Sequence, residues 1–261
     1  MWVTLLGTGT SQGVPVIGCT CEVCRSVDFR DKRLRTSVHV QANDVSLVID
    51  TGPDFRQQML RERVHTLDAV LFTHEHKDHT AGLDDIRAYN FRQNRDMPVY
   101  GRRQVLDILE RDFAYAFAEH KYPGIPQIVL HEIDREPFTI NGLPIIPIEV
   151  IHYKLPVLGF RIGDFSYITD ANQIPESEFQ KLKGSKVIVF DALQHEPHLS
   201  HFTLSEAVAI LTELAPEQAY LTHISHRMGL HSVINKTLPP FIRLGYDGLR
   251  IELDDPVMSA R

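Results

Sequence analysis

The sequence predicts a layered α/β protein that gathers its chemistry at one sheet edge, and three observations carry that expectation. Short apolar runs recur along the chain, each ending in or passing through a polar group able to do chemistry. Helical stretches lie between some of them. Histidine is unusually frequent, 14 of 261 residues, and falls in short clusters. The runs are VTLLGTG at residues 3–9, SLVID ending at Asp50, AVLFTH ending at His74, IEVIH ending at His152, YITD ending at Asp170, VIVFDA passing through Asp191, and AYLTH ending at His223. Each has strand length and is rich in β-branched residues. Helices are expected over residues 81–92, 104–118 and 204–214. The last is opened by Thr203 and Glu206 at the spacing of a capping box. Strands that end in functional groups on neighbouring loops are how a layered α/β scaffold assembles a site.

A chain of this length suits one domain over residues 1–261, with ample material for a core. Hydrophobic residues make up 43% and charged residues 23%, the balance of an ordinary soluble protein. No apolar run is long enough to span a bilayer, so no membrane association is expected. The opening MWVTLLGTGTSQG lacks the basic start and long apolar stretch of a signal peptide, which makes a cytoplasmic location the expectation. A net charge of −7 argues against a surface built to hold nucleic acid, while leaving room for a local basic pocket for one small phosphate. Residues 111–130 bring together Phe113, Tyr115, Phe117 and Tyr122. They read as a lid, as a homodimer contact, or as a plain amphipathic helix with a Pro/Gly stop. The tail after Leu253 is expected to fray.

The segment Thr73-His74-Glu75-His76-Lys77-Asp78-His79 concentrates the chemistry. His74, His76, Asp78 and His79 are all able to ligate a metal, and they follow an apolar strand directly. Imidazole and carboxylate suit zinc, manganese or iron. One such loop cannot complete two coordination spheres, and His152, Asp170 and His223 stand ready at other strand ends. A pair of cations about 3.5–4 Å apart depresses the pKa of a shared water and binds the developing oxyanion. Cys19, Cys21 and Cys24 are the chain's three cysteines. An odd number so closely spaced makes a poor disulfide framework and a better metal loop.

An HxHxDH motif followed by a distant His, a distant Asp and a last His resembles the metallo-β-lactamase superfamily, from the N-terminus to about residue 250. The resemblance implies a metal-dependent hydrolase with an αββα four-layer sandwich, two mixed sheets and the metal site at one sheet edge. It implies that His74, His76 and His152 hold one metal, and that Asp78, His79 and His223 hold the second. Asp170 and a water or hydroxide would bridge the two, with Asp78 also orienting that nucleophile. Asp50 matches the motif residue that supports a ligand histidine from behind and fixes its tautomer. A plain turn Asp before Gly52 is the competing reading. Glu75 falls where the motif varies and is not expected to ligate.

The N-terminal segment narrows the branch. Gly7-Thr8-Gly9-Thr10-Ser11-Gln12-Gly13-Val14-Pro15 is followed by Gly18-Cys19-Thr20-Cys21-Glu22-Val23-Cys24. These glycines do not make a dinucleotide loop, because Pro15 and the cysteines stand where a helix should begin. With Thr222-His223-Ile224-Ser225-His226, the segment resembles the PhnP-type branch, cyclic-phosphate phosphodiesterases of phosphonate metabolism. That resemblance implies a structural zinc held by Cys19, Cys21, Cys24 and His226, with the cysteines in a loop at about 18–25. A closed Cys₃His site of this kind would staple the N-terminal loop to the loop bearing His223. It also implies a general acid at His201, with His195 and His198 as nearby competitors. Arg33, Arg35, Lys154 and Arg227 are candidates for gripping phosphate, and each reads equally well as a surface charge. The expected partner is a small or cyclic phosphodiester. The competing functions are a tRNA 3′-processing nuclease, which usually carries an extra basic arm not visible here, a thioester, lactone or β-lactam hydrolase, and an inactive metal-binding regulatory protein. The complete ligand set argues against the last.

Overall fold

Alternation along each strand decides which layer its side chains enter. In a computed structural model, which describes residues 1–120 and 122–258, strands β1 to β14 form two sheets of seven. The first runs, in spatial order, β14 (Arg250–Glu252), β1 (Trp2–Gly7), β2 (Ser37–Ala42), β3 (Val45–Ile49), β4 (Ala69–Leu71), β5 (Met97–Gly101) and β6 (Ile128–Glu132). The second runs β13 (Ile242–Leu244), β12 (Gln218–Thr222), β11 (Val187–Asp191), β10 (Phe165–Ile168), β9 (Leu155–Ile162), β8 (Leu143–His152) and β7 (Phe138–Ile140). Both sheets are mixed. Strands β3 to β6 are parallel, as are β10 to β13, and the remaining pairs are antiparallel.

Val3, Leu5, Val38, Val40, Leu47 and Ile49 face Leu158, Phe160, Ile162, Tyr167 and Val189 across the space between the sheets. On the outside of the first sheet, Leu6, Val48, Val70 and Val99 lie under helices Phe55–Glu62, Arg87–Gln93 and Arg103–Asp112. On the outside of the second, Ile148, Val150, Ile188 and Phe190 lie under Glu176–Leu182 and Leu204–Leu214. The result is the αββα sandwich of two mixed sheets. Each fully buried Val, Leu, Ile or Phe contributes about 1.5–3 kcal/mol relative to exposure. The parallel strands are nearly continuous runs of Val, Ile and Leu because both of their faces are covered.

Helix Leu204–Leu214 begins as expected: Thr203 Oγ1 accepts from Glu206 N at 3.2 Å, and Glu206 Oε2 accepts from Thr203 N at 2.8 Å. The stretch expected as one helix over 81–92 is instead a turn of 3₁₀ helix, Leu83–Ile86, running into Arg87–Gln93. The one expected over 104–118 breaks at Phe113 into Arg103–Asp112 and Ala114–Phe117. Phe113 and Ala116 pack under the first sheet, Lys77 pairs with Asp112, and the Tyr115 hydroxyl donates to Asp84. These contacts tie the aromatic segment to the loop carrying the HxHxDH motif. Lys121 lies outside the described residues.

The tail does not fray at Leu253. Asp255 pairs with the N-terminal ammonium at 2.9 Å and accepts from Asn43 N at 2.9 Å, while Met258 packs against the inner core. Local sequence hides this, because the partner is the other end of the chain. Residues 259–261 lie outside the described residues. Among the described residues no helix is long and apolar enough to cross a membrane.

Candidate metal centre

The site assembles where parallel strands end. Asp50 follows β3, the Thr73–His79 loop follows β4, Asp170 follows β10, Asp191 ends β11 and His223 follows β12; His152 ends the antiparallel β8. Carboxyl ends of parallel strands are where open α/β sheets bind ligands. Asp50, Asp170 and His223 each leave their strand with positive φ, at 65°, 52° and 57°. For non-glycine residues such backbone costs on the order of 1 kcal/mol or more, and here it turns each side chain across the mouth of the site.

The expected ligands fall into two groups whose potential ligand atoms lie within 4.8 Å of one another, His74, His76 and His152, and Asp78, His79, Asp170 and His223; His201 meets the same distance with His152 and Asp170, and with Asp191 and His223. In the first, His74 Nε2 is 2.9 Å from His76 Nδ1. In the second, His79 Nε2 is 3.3 Å from Asp78 Oδ2 and 3.2 Å from Asp170 Oδ2. Asp170 joins the groups: its Oδ1 is 3.3 Å from His223 Nε2 and 4.0 Å from His74 Nε2.

Three hydrogen bonds set the histidine tautomers. Asp50 accepts from Thr73 N at 2.9 Å, from Thr73 Oγ1 at 2.8 Å and from His79 Nδ1 at 2.7 Å. Because the Thr73 hydroxyl proton goes to Asp50, His74 Nδ1–H must donate to Thr73 Oγ1, 2.9 Å away. His152 Nδ1 donates to Ser200 O at 2.9 Å. His74, His79 and His152 therefore all present bare Nε2 lone pairs, the outcome such supporting bonds produce around a metal.

Electrostatics agree with a cation at this place. Burial opposes a charged His79, but Asp170, Asp50 and Asp78 outweigh it and hold its pKa well above the usual value. Burial likewise opposes an ionised Asp170, and His223 and His79 hold it well below the usual range. Without a metal, that extra positive charge would be a proton on His79 Nε2, facing Asp170 Oδ2; a divalent cation would supply the charge in its place and leave Nε2 free to ligate. His79 Nε2 and both ring nitrogens of His223 are buried without a hydrogen-bond partner. Buried polar atoms of this kind are costly unless something pairs with them, and a divalent cation fits this set of donors.

His201 stands beside both groups. Its ring stacks on His223 with centroids 4.5 Å apart, and meets His152 edge-on at 4.8 Å. Behind it lies Asp191, which is fully buried and also accepts from Phe202 N at 3.2 Å. Burial lowers the pKa of His201, but Asp191 outweighs it and raises the value to about 8. The sequence shows Asp191 only as a strand end and assigns it no role. The signal available was its place in series with Asp50, Asp170 and His223.

The cysteines converge on His226. Its Nδ1 is 3.3 Å from Cys19 Sγ, 3.4 Å from Cys21 Sγ and 3.6 Å from Cys24 Sγ. A tetrahedral zinc with ordinary bond lengths has S···N edges of about 3.6 Å. Cys21 caps the short helix Glu22–Arg25, and the Cys24 N–H donated to its sulfur is the main cause that lowers its pKa to about 6. Burial pushes Cys24 up to about 11.

The candidate phosphate-gripping residues fare differently. Arg33 is buried and donates to Thr8 Oγ1, Gly245 O and His231 Nδ1 at 2.8, 2.6 and 3.2 Å, so it braces the N-terminal loop. Arg35 is held by Asp54 at 3.2 Å. Lys154 lies over the Tyr153 ring. Arg227 has no ion pair among the described residues. His195 is occupied by Met228 O at 2.9 Å, and His198 is exposed.

Comparison with known proteins places this architecture. The Beta-lactamase superfamily domain matches residues 46–224. A crystal structure described as a new diphosphatase from the PhnP family superimposes with a TM-score of 0.92, at 39% identity over 98% of each chain. An octanoyltransferase of Porphyromonas gingivalis (strain ATCC BAA-308 / W83) is 40% identical over 254 residues, which is 96% of this chain and 51% of that protein. The chain thus spans about half the length of that relative. Zinc-bound PqqB from Methylobacterium extorquens, at 18% identity, shares the fold with a TM-score of 0.79, over 97% of this chain and 100% of that one. From these matches the chain belongs to the Beta-lactamase superfamily, in its PhnP family.

Proposed function

We propose that the protein is a phosphodiesterase acting on a small or cyclic phosphodiester. His74, His76 and His152 would hold one divalent cation, Asp78, His79 and His223 a second, and Asp170 both. Zinc and manganese suit these donors, with iron a third candidate. When bound, such a pair supplies an acidified water and neutralises charge on the phosphate oxygens. A zinc in the Cys19, Cys21, Cys24 and His226 site would serve structure alone.

The observation that carries this reading is the Asp191–His201 pair beside the metal groups. An alkoxide expelled from phosphorus is a poor leaving group and needs a proton. His201 can hold that proton within the site, and Asp191 orients its ring and favours its charged form. Thioester hydrolysis expels a thiolate, which leaves without help, so a buried, carboxylate-backed histidine favours the diester. Asp50 and the Ser200 carbonyl keep His79 and His152 aimed throughout.

A second reading rests on the PhnP-family diphosphatase, 39% identical to this chain: the scissile bond could join two phosphates. A panel separates the readings: a five-membered cyclic phosphodiester, bis-p-nitrophenyl phosphate, p-nitrophenyl phosphate, a diphosphate diester, a thioester, nitrocefin and a precursor tRNA. The cyclic diester is expected to turn over fastest, helped by ring strain, and the monoester more slowly. Faster cleavage of the diphosphate selects the second reading. Faster cleavage of the thioester, nitrocefin or tRNA overturns both.

A further inference from the structure

The outer face of the first sheet is only half covered. Leu6 and Val48 meet the helix Phe55–Glu62. The other outward residues of the same strands are polar or amphipathic: Trp2 and Thr4 on β1, His39 and Gln41 on β2, and Ser46 on β3. They floor a cavity of about 810 Å³, within the size range of small-molecule sites. Its walls are the end of that helix, the segment 63–66 and Arg250 on β14. Ser46 is the second residue of β3 and Thr66 precedes β4, whereas Asp50 and His74 follow those strands. The cavity is therefore at the opposite end of the sheet from the metal centre.

Its charge is set against that of the chain. Arg61, Arg63 and Arg250 line it with one carboxylate, Glu62, on a protein of net charge −7. Arg61 is committed to Glu62 at 2.6 Å and to Leu6 O at 2.6 Å. Arg250 reaches Glu62 only at 3.4 Å, and Arg63 has no ion pair among the described residues. A concave, locally cationic surface on an acidic protein concentrates anions.

The floor adds a specific demand. Ser46 Oγ donates its one proton to Thr66 O at 2.7 Å. His39 Nε2, 2.9 Å from the same oxygen, must then be the donor in that contact. Burial, with Arg250 acting in the same sense and Glu62 opposing, holds His39 down to about pKa 4, so the ring is neutral near pH 7. Its Nδ1 is left as a bare acceptor with no hydrogen-bond partner among the described residues. On the same cavity floor, opposite Gln41 and one outward position along β1 from Thr4, the partner of His39, Trp2 is 46% exposed, an indole face free to stack.

We infer that this cavity is a second binding site, for a nucleotide-class ligand: an aromatic base stacked on Trp2, a base N–H donated to His39, and a phosphate held by Arg63 and Arg250. Each group answers one feature. A plain anion leaves the indole and the His39 acceptor unused, and an uncharged nucleoside leaves the arginines unused. The inference does not depend on the reaction assigned to the metal centre.

Trp2 is the only tryptophan, so its emission reports on this cavity directly. Full-length, metal-loaded protein is titrated with AMP, adenosine and ribose 5-phosphate. AMP should change the emission saturably, with adenosine and ribose 5-phosphate each about tenfold weaker or worse, the penalty for losing charged hydrogen bonds or a stacked ring. Arg63→Glu, on an exposed position outside the metal centre, should weaken AMP by about tenfold or more while hydrolysis at the metal centre is unchanged. Trp2→Phe should abolish the optical signal, with calorimetry still detecting binding. No saturable change by about 10 mM AMP overturns the inference. So does equal affinity for AMP and ribose 5-phosphate, or an AMP affinity indifferent to Arg63→Glu.

Discussion

Asp191 holds His201 from behind: His201 Nδ1 lies 3.3 and 3.4 Å from the two carboxylate oxygens, and both residues are buried. The contact leaves Nε2 as the nitrogen able to serve a substrate. General acid catalysis is typically worth about 10²–10⁴-fold. His201→Ala is expected to retain its metals and to lose activity by about that factor on an alkyl or cyclic diester. On bis-p-nitrophenyl phosphate the loss should be far smaller, because nitrophenolate leaves unprotonated. Asp191→Asn should show the same leaving-group pattern with smaller losses, since it acts through His201. Equal losses on both substrates would assign His201 to binding or metal positioning instead.

Among the described residues, Asp170 is the one carboxylate within 4.0 Å of ring nitrogens from both histidine groups. Asp170→Ala is expected to abolish activity and to lower metal content, read by elemental analysis after dialysis. Without it His79 also loses its main counter-charge, so the fold itself should become less stable, as expected when one partner of a buried ionic network is removed. Full metal content in the variant would show that the two groups bind independently.

The His74–His79 loop was legible in sequence because its residues are adjacent, and the distant members of the site because each ends an apolar run. Helix Leu204–Leu214 was legible from Thr203 and Glu206, whose capping contacts are local. Sheet order was not legible. The pairing of β1 with β14 joins the two ends of the chain, and nothing near Trp2 announces Glu252. Arg33 shows the same limit: its charge suggested a phosphate, but its partners Gly245 and His231 lie more than 190 positions away. The role of Asp191 needed the fold, since only stacking of β11 between β10 and β12 sets it behind His201.

The cysteine cluster and the histidine–carboxylate groups should differ in how readily they give up metal. Three thiolates and an imidazole close a tetrahedron, whereas a catalytic site keeps positions open. Mild chelation is expected to strip the active-site metals and leave one zinc behind. Cys21→Ser should lose that zinc and lower the melting temperature, because residues 19–24 are then no longer fastened to His226. Unchanged zinc content and melting temperature would leave the cluster as three reduced thiols.

Acid should weaken the fold through His39. His39 is buried, and burial holds its folded pKa at about 4, below the ordinary histidine value of about 6.5. A group depressed in this way binds more protons in the unfolded chain between those values. Stability is therefore fully present above about pH 6.5 and is lost as pH falls toward 4, by at most about 3 kcal/mol from this residue. Acid also displaces metals, so the total pH dependence of unfolding cannot be assigned to one histidine. The difference between the native chain and His39→Gln can be, because the glutamine amide still donates to Ser46 and does not titrate. Urea unfolding at pH 7 and pH 5 should show the variant losing less stability on acidification than the native protein. An identical loss in both would mean that His39 takes up its proton in the folded state as easily as in the unfolded one.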